Sequence, residues 1–332
     1  MPEKDRPTRR GTFLTACAAA LGVIALVYIT GLQVGFGARW GLFSGALAFP
    51  GIVFAGLLGA SLVLSAVAVA SGRASRPARI VTGSVSAGLL AAMVVTLAVT
   101  PAPIPPESLP ARSTDALRLL AWNVQQTAES PVARNRLIET LEPDVVVFSE
   151  LYEGNLQSGD LPAGYVSYGV RGIAVTVLVT DDLPPFRVSA ADDSGATSGF
   201  VLTPETDGAA PEIVAVHLVR PGIDGDTTLR DRGLDWIAEQ CASPDAIAAG
   251  DFNAVAPNMP RGRLGFCRSA AAFAPSWPAS IPPLFGAAID NVLVSERWDA
   301  ERVATLDVPG IRTDHRPIVA DVVPALIEGA AR

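Results

Sequence analysis

The first hundred residues of this 332-residue chain are nearly without charge. Residues 11–38, 40–72 and 80–106 contain no Asp, Glu, Lys or Arg. Each stretch exceeds the roughly 20 apolar residues that a helix needs to cross a bilayer. Their abundant Gly and Ala suit close helix packing in lipid. Lysine is absent after Lys4, and beyond residue 100 there are 31 Asp and Glu against 17 Arg, a net of −14. Nonspecific nucleic-acid affinity comes mostly from Lys and Arg on phosphates, and a basic surface is its usual footprint. The soluble part is therefore a poor nucleic-acid binder, with Arg261, Arg263 and Arg268 the one local group able to form a basic patch. Histidine occurs twice and cysteine three times, with no cysteine in a metal-type spacing. No internal repeat is visible.

These stretches predict a membrane domain over 1–100 with three transmembrane helices. A cleaved signal peptide behind Arg9-Arg10 would need an apolar core of only about 7–15 residues. The first stretch is longer and two more follow, so a retained helix is expected. Lys4, Arg6, Arg9 and Arg10 precede the first span, and Arg73, Arg76 and Arg79 separate the second from the third. The first loop offers only Arg39. Short basic loops stay in the cytoplasm, which predicts a cytoplasmic N-terminus and an extracytoplasmic C-terminal domain. Residues 101–113 form a linker, and half of residues 101–110 are proline. Such a run favours polyproline II at about 3.1 Å per residue, and a plain spacer is expected.

Residues 114–332 alternate strand and helix patterns. Leu117–Val124, Asp144–Phe148, Ile173–Thr180, Glu212–His217, Ala246–Ala249, Asn291–Ser295 and Ile318–Val323 read as apolar strands. A helix over Pro131–Leu141 has Ser130 as cap and proline at its first position. A second runs from about Thr227 to Gln240, capped by Asp226 or Thr227. Strands this apolar need cover on both faces, and periodicity alone gives an α/β fold.

Five short motifs carry the chemistry. They are Leu120-Ala121-Trp122-Asn123-Val124, Val147-Phe148-Ser149-Glu150, Val216-His217-Leu218, Gly250-Asp251-Phe252-Asn253 and Thr313-Asp314-His315-Arg316-Pro317. Four of them place a polar side chain directly after an apolar run, where a core strand ends and catalytic groups tend to lie. Glu, Asp, Asn and His supply the hard oxygen ligands and acid/base groups of a magnesium phosphoesterase. Taken singly, an Asp or Asn there is as well read as a turn residue. Both histidines of the chain fall at motif positions, however. Asp144 precedes its strand and reads as structural.

The ordered motifs resemble the endonuclease/exonuclease/phosphatase superfamily, over roughly Leu117 to Val323. The resemblance implies a four-layer α/β sandwich, two mixed sheets face to face with helices outside. It implies Mg2+, or Mn2+ in its place, held first by Glu150, with Asn123 beside it and Asp314 reaching the ion directly or through water. Asp251 would orient or deprotonate the attacking water, and Asn253 would contact a phosphate oxygen. His315 would contact the phosphoryl group, oriented by Asp290, and His217 would steady charge from the other side. Asn291 stands where relatives often carry His.

Cys241 and Cys267 flank the Gly250–Asn253 motif, and in an oxidising compartment we expect them to pair rather than remain two buried thiols. Cys17 lies in the first span as a small apolar residue. Trp277, in the proline-stiffened loop Ala274–Phe285, either meets the membrane interface or a lipid tail, or plugs the core under the site. This loop and the three spans together are similar to the teicoplanin-resistance (VanJ-type) membrane phosphatases. That resemblance implies a lipid phosphate substrate such as undecaprenyl pyrophosphate, within the bilayer and with no protein partner evident. An extracellular phosphodiesterase or nuclease on the same site is one alternative. A non-catalytic membrane-anchored binding or sensor protein is another.

Overall fold

In a computed structural model, the described residues are 9–70, 76–125, 130–156, 160–192, 195, 197–222, 224–260, 262–270 and 274–325. Lys4, Arg6, Arg73 and Arg261 lie outside them. Three helices are long and apolar enough to cross a membrane: α1 (Arg9–Val34), α3 (Pro50–Ala70) and α4 (Arg76–Val99). They pack on one another, and Ser61 and Ser86 hydroxyls hydrogen-bond between α3 and α4 at 2.8 Å. Exposed Val, Leu and Ile cover their outer surface, as expected where the solvent is lipid. The connection between α1 and α3 also holds a short helix, α2 (Gly41–Ala46), that hydropathy alone does not distinguish from loop.

The remaining chain forms two six-stranded mixed sheets. The first has the order β11 (Trp298–Thr305), β12 (Ile318–Pro324), β1 (Leu117–Asn123), β2 (Val145–Ser149), β4 (Val175–Thr180) and β3 (Tyr165–Gly169). The second runs β5 (Phe186–Ala191), β6 (Thr197–Pro204), β7 (Glu212–Leu218), β8 (Ala246–Asp251), β10 (Asp290–Val294) and β9 (Arg268–Ser269). Among the named strands of the described residues, β1–β2 and β7–β8 are the pairs that run in parallel, each joined by a crossover helix, α5 (Pro131–Leu141) and α6 (Thr228–Gln240).

Alternation along each strand builds the layers. Leu119 and Ala121 of β1 face the inter-sheet core with Val145, Val147, Ile213, Ala215 and Ile247. Leu120 and Trp122 point the other way, under Leu137, Ile138 and Leu141 of α5. Val214 and Val216 likewise pack under Leu234 and Ile237 of α6. The result is the expected four-layer α/β sandwich. Because both faces are buried, the central strands are mostly apolar, and β1 and β12 each carry one member of the buried Arg118–Asp321 ion pair.

Caps set the helix starts. Ser130 accepts Ala133 N–H at 3.2 Å with Pro131 at the first helical position, a cap worth about 1 kcal/mol. At α6 the Asp226 carboxylate accepts Thr228 N–H at 2.9 Å, while the Thr227 hydroxyl donates to Asp231 instead. Asp144, read as structural, accepts the Arg118 amide at 2.7 Å and pairs with Arg112. Cys241 and Cys267 form a disulfide that ties the end of α6 to the segment before β9.

The proline-rich segment is not a free spacer. Ile104 bridges in parallel to Leu306, accepting and donating backbone hydrogen bonds with Asp307 and Thr305, and it packs with Leu109 against the α5 layer. Its apolar residues thus add to the first sheet instead of standing in solvent. A second attachment comes from the α1–α3 connection. Arg230 of α6, only 2% exposed, donates to Ser44 Oγ at 3.1 Å and Ala38 O at 3.3 Å. Asn258 Nδ2 donates to the same two acceptors at 3.2 Å each. Tyr28, Leu47 and Phe54 share one apolar cluster with Val255, Ala287 and Ile289 of the sandwich. At Gly51 a Cβ would overlap Leu284 O, so α3 starts in backbone contact with the 283–285 turn.

Candidate active site

The parallel pairs determine where the motif side chains emerge. Asn123 is in register with Ser149, the residue before Glu150, and His217 is in register with Asp251. Asp290 lies opposite Asp251 across the antiparallel β8–β10 pair. All five motifs therefore deliver their polar residues to one end of the sandwich. The two sheets are joined there by Ser149, whose hydroxyl donates to Val216 O at 3.3 Å and accepts Asp251 N–H at 3.1 Å.

Local backbone aims these groups. Glu150 (φ 59°) and Asn253 (φ 44°) are left-handed, a conformation that Asn adopts readily and that is uncommon for Glu. Asn253 N–H donates to Asp251 Oδ1 at 2.8 Å, and its amide donates to Leu218 O at 2.9 Å. Gly250 (φ 136°) is where the chain passes against Val216 O, and any side chain would collide with that carbonyl.

Asn123, 1% exposed, is the hub. Its Nδ2 donates to Glu150 Oε1 at 3.1 Å and to Asp251 Oδ2 at 3.0 Å, while its Oδ1 accepts Gln125 N–H. In this arrangement the Asn123 amide holds the two carboxylates together. His217 Nε2 stands 3.9 Å from Glu150 Oε1 and 3.8 Å from Asp251 Oδ2.

Opposite lies the histidine of the last motif. His315 Nδ1 is 2.7 Å from Asp290 Oδ2, and Nε2 is 3.9 Å from both Asp251 and Asp314. Burial pulls its pKa down, but Asp290, Asp251 and Asp314 outweigh that and raise it to about 9. The imidazole is therefore charged near neutrality. Burial, with Asp290 nearby, raises the Asp251 pKa against the opposing pull of His315 and His217. Thr313 anchors the loop by donating to Asn123 O at 2.7 Å. Arg316 donates to Ala279 O at 2.5 Å and Ile281 O at 2.7 Å, pinning the segment around Trp277.

Trp277 lies between the alternatives left open for it. Its Nε1–H donates to Asp314 Oδ2 at 2.8 Å, its ring is 6.5 Å from His315, and on its other side it meets Phe49 at 5.9 Å. It is neither a core plug nor an exposed anchor, but the join between the membrane unit and the site. Sequence reading also missed Ser149, Ser276 and Arg316. Ser276 Oγ accepts Asp290 N–H at 3.2 Å. Of the three arginines of the expected basic patch, Arg263 pairs with Asp231 and Arg268 with Asp299, and Arg261 lies outside the described residues.

These groups surround a pocket of about 840 Å³ whose lining includes Glu150, His217, Asp251 and His315. Four carboxylates (Glu150, Asp251, Asp290, Asp314) face two imidazoles, and the buried Asp290 Oδ1 has no hydrogen-bond partner. An excess of hard anionic oxygen of this kind fits a divalent cation. Ligating atoms of Asp251, Asp290 and His315 come within 4.8 Å of one another. This trio is a candidate acidic and histidine metal site, and Glu150 stands on the far side of Asp251, joined to it through Asn123.

The endonuclease/exonuclease/phosphatase family model matches residues 120–315, from the first motif to the last. The chain belongs to this family, whose members are hydrolases of the nuclease and phosphatase type. Among solved structures, humanized D. rerio TDP2 is similar at 16% identity, covering 63% of this chain and 99% of that one with a TM-score of 0.51. D. rerio TDP2 complexed with single-strand DNA product matches at 16% identity over 62% and 98%, with a TM-score of 0.50. The human Nocturnin catalytic domain with bound sulfate matches at 15% over 68% and 100%, with a TM-score of 0.47. At these identities the likeness to the TDP2 structures is one of fold. No curated protein matches the sequence.

Proposed function

We propose, from the chain's membership of the endonuclease/exonuclease/phosphatase family, that it is a membrane-anchored, divalent-metal-dependent phosphatase acting on a lipid phosphoester or pyrophosphate. The substrate we assign is undecaprenyl pyrophosphate or a related polyprenyl phosphate, cleaved on the outer face of the membrane by the domain at 114–332. The observation that carries this reading is the membrane unit's share in the pocket: Ser44, Ala48 and Phe49 line it beside Asp251 and His315. A tethered site raises the effective concentration of substrates held in the same bilayer.

Glu150 is assigned to the cation, magnesium or manganese, with Asn123 fixing its carboxylate and Asp314 reaching the ion directly or through water. Bound there, the ion supplies positive charge to the phosphoryl oxygens. Asp251 takes the proton of the attacking water as the new oxygen–phosphorus bond forms and the bond to the leaving oxygen breaks. Its raised proton affinity suits that task. His315, charged and oriented by Asp290, donates to a phosphoryl oxygen, and His217 faces the charge from the other side. The second amide hydrogen of Asn253 serves another phosphoryl oxygen. Arg220, exposed at the pocket rim, meets the outer phosphate of a pyrophosphate.

The test is phosphate release by the full-length chain in nanodiscs from polyprenyl pyrophosphate, phospholipids and DNA. We expect inorganic phosphate from the polyprenyl substrate, abolished by chelation. Cleavage without inorganic phosphate would instead identify a phosphodiesterase or nuclease. No turnover of any substrate would leave a binding or sensor protein.

A further inference from the structure

Beside the catalytic pocket lies a second cavity of about 190 Å³, set between the ends of all three membrane helices and the sandwich. Leu32 of α1, Pro50 of α3 and Val95 and Val99 of α4 form one side, and Ala256 and Leu284 belong to the other. Its lining contains no charged residue. The two threonines there are satisfied within α4, Thr96 donating to Ala92 O at 2.9 Å and Thr100 to Thr96 O at 2.7 Å. The lining is predominantly apolar, and a cavity of this kind holds water poorly and suits an apolar guest.

The cavity adjoins the active site. Ala48 and Val255 line both, so one thin wall of two small or branched side chains divides them. The join is built into the packing, because α3 begins in backbone contact with Leu284 and Phe49 abuts Trp277. A molecule with an anionic head among His315, Asp251 and the cation ligands would lay an attached chain past Ala48 into this slot.

We infer that the slot between the helix ends and the sandwich binds the first part of the hydrocarbon chain of the phosphorylated substrate, and so selects a lipid phosphate over a soluble one. This inference rests on the lipid-phosphatase reading above. The occupant is the substrate's own chain rather than a bystander lipid, because the slot meets the pocket where the phosphate is cleaved. Discrimination then comes from apolar contacts remote from the reacting atoms, and binding energy gained there serves the chemical step.

Two variants narrow the slot from opposite sides without touching the catalytic machinery: Val99→Trp on α4 and Ala256→Phe on the sandwich. In nanodiscs, kcat/KM for a polyprenyl pyrophosphate should fall by about tenfold or more, while that for water-soluble methyl pyrophosphate, which has no chain to place in the slot, stays at the wild-type level. Retained activity on the soluble substrate also demonstrates that the variants fold. Equal losses on both substrates, or no loss on either, would overturn the inference. A second measurement separates it from the proposed function: photolabelling by an uncleavable prenyl phosphonate with a diazirine on its first isoprene unit. Labelling of Val99, Ala256 or Leu284, weaker in both variants, supports the slot even if no phosphate is ever released. Equal labelling by a phosphate-free prenyl diazirine would reduce the slot to a groove for bulk lipid and defeat the inference. Hydrolysis without labelling there would leave the phosphatase standing and remove the slot.

Discussion

His315 Nδ1 and Asp290 Oδ2 lie 2.7 Å apart, both buried, with Asp290 at the start of β10 in the second sheet and His315 in the loop that leads into β12 of the first. The pair forms across the sandwich, so it exists only when both sheets are in place. If His315 contacts the phosphoryl group and Asp290 only orients it, losses within the unit are strongly non-additive. His315→Ala should lower turnover by about 10²–10³, as for other charge-stabilising groups. Asp290→Asn should cost less, and the double variant should be little worse than His315→Ala. Simple multiplication of the two effects in steady-state kinetics would mean that they act independently.

Glu150→Gln should weaken the response to added magnesium more than any other single change at the site. Glutamine keeps the shape but removes the charge that a hard cation needs. Activity titrated against magnesium after chelation checks this; a Gln variant fully active without metal would refute the assignment.

Orientation is open to a fusion experiment. A reporter active only outside the cytoplasm should be active after Arg332 and silent near Ser75, as the basic residues before α1 and before α4 require. The opposite pattern would put the site on the wrong face for the proposed substrate.

Two glycines on one helix should respond differently to the same change. Gly51→Ala forces a methyl group into Leu284 O, while at Gly56 a Cβ meets nothing within 4 Å. Overpacking typically costs about 1–3 kcal/mol, so Gly51→Ala should lower the thermal midpoint in detergent and depress activity. Gly56→Ala should leave both near wild type. Indistinguishable variants would mean that the α3 contact with the sandwich is loose.

Reduction should destabilise the sandwich. The disulfide closes a 26-residue separation that contains the whole Gly250–Asn253 motif, and a loop of that size gives about 3 kcal/mol in the chain-entropy picture. Cys241→Ser should lower the midpoint of denaturant unfolding to the same degree as a thiol reductant acting on the wild type. A midpoint unmoved by either would dismiss the bond as a stabilising element.

What the sequence displayed was the centre of each sheet. β1, β2, β4, β7, β8, β10 and β12 are buried on both faces, and their apolar runs are visible without coordinates. The unforeseen strands are β6 and the four at sheet edges, β3, β5, β9 and β11. Edge strands mix polar and apolar residues because one side meets solvent, as in Phe186–Ala191, where a single residue is buried. At the site, Glu150, His217 and Asp251 were legible because they sit at the ends of apolar runs, whereas Ser44, Phe49 and Arg220, which also line the pocket, follow no such pattern. Ser149, Ser276 and Arg316 were not legible either, since a hydroxyl joining two sheets or a guanidinium pinning a loop has no signature along the chain. Likewise, nothing in the hydropathy of residues 35–49 distinguishes a connection that touches the catalytic unit from one that floats free.

Two moorings, the strip around Ile104 and the connection from Ala38 to Phe49, attach the sandwich at separate places. A single tether would let the bilayer move without consequence for chemistry; two turn the helix bundle into a lever. Transmembrane helices tilt to match the thickness of the surrounding hydrocarbon, and any tilt of α3 bears on Phe49, then on Trp277 and through it on Asp314. The activity of this chain should therefore depend on acyl-chain length in the host membrane, even for a substrate that never enters it.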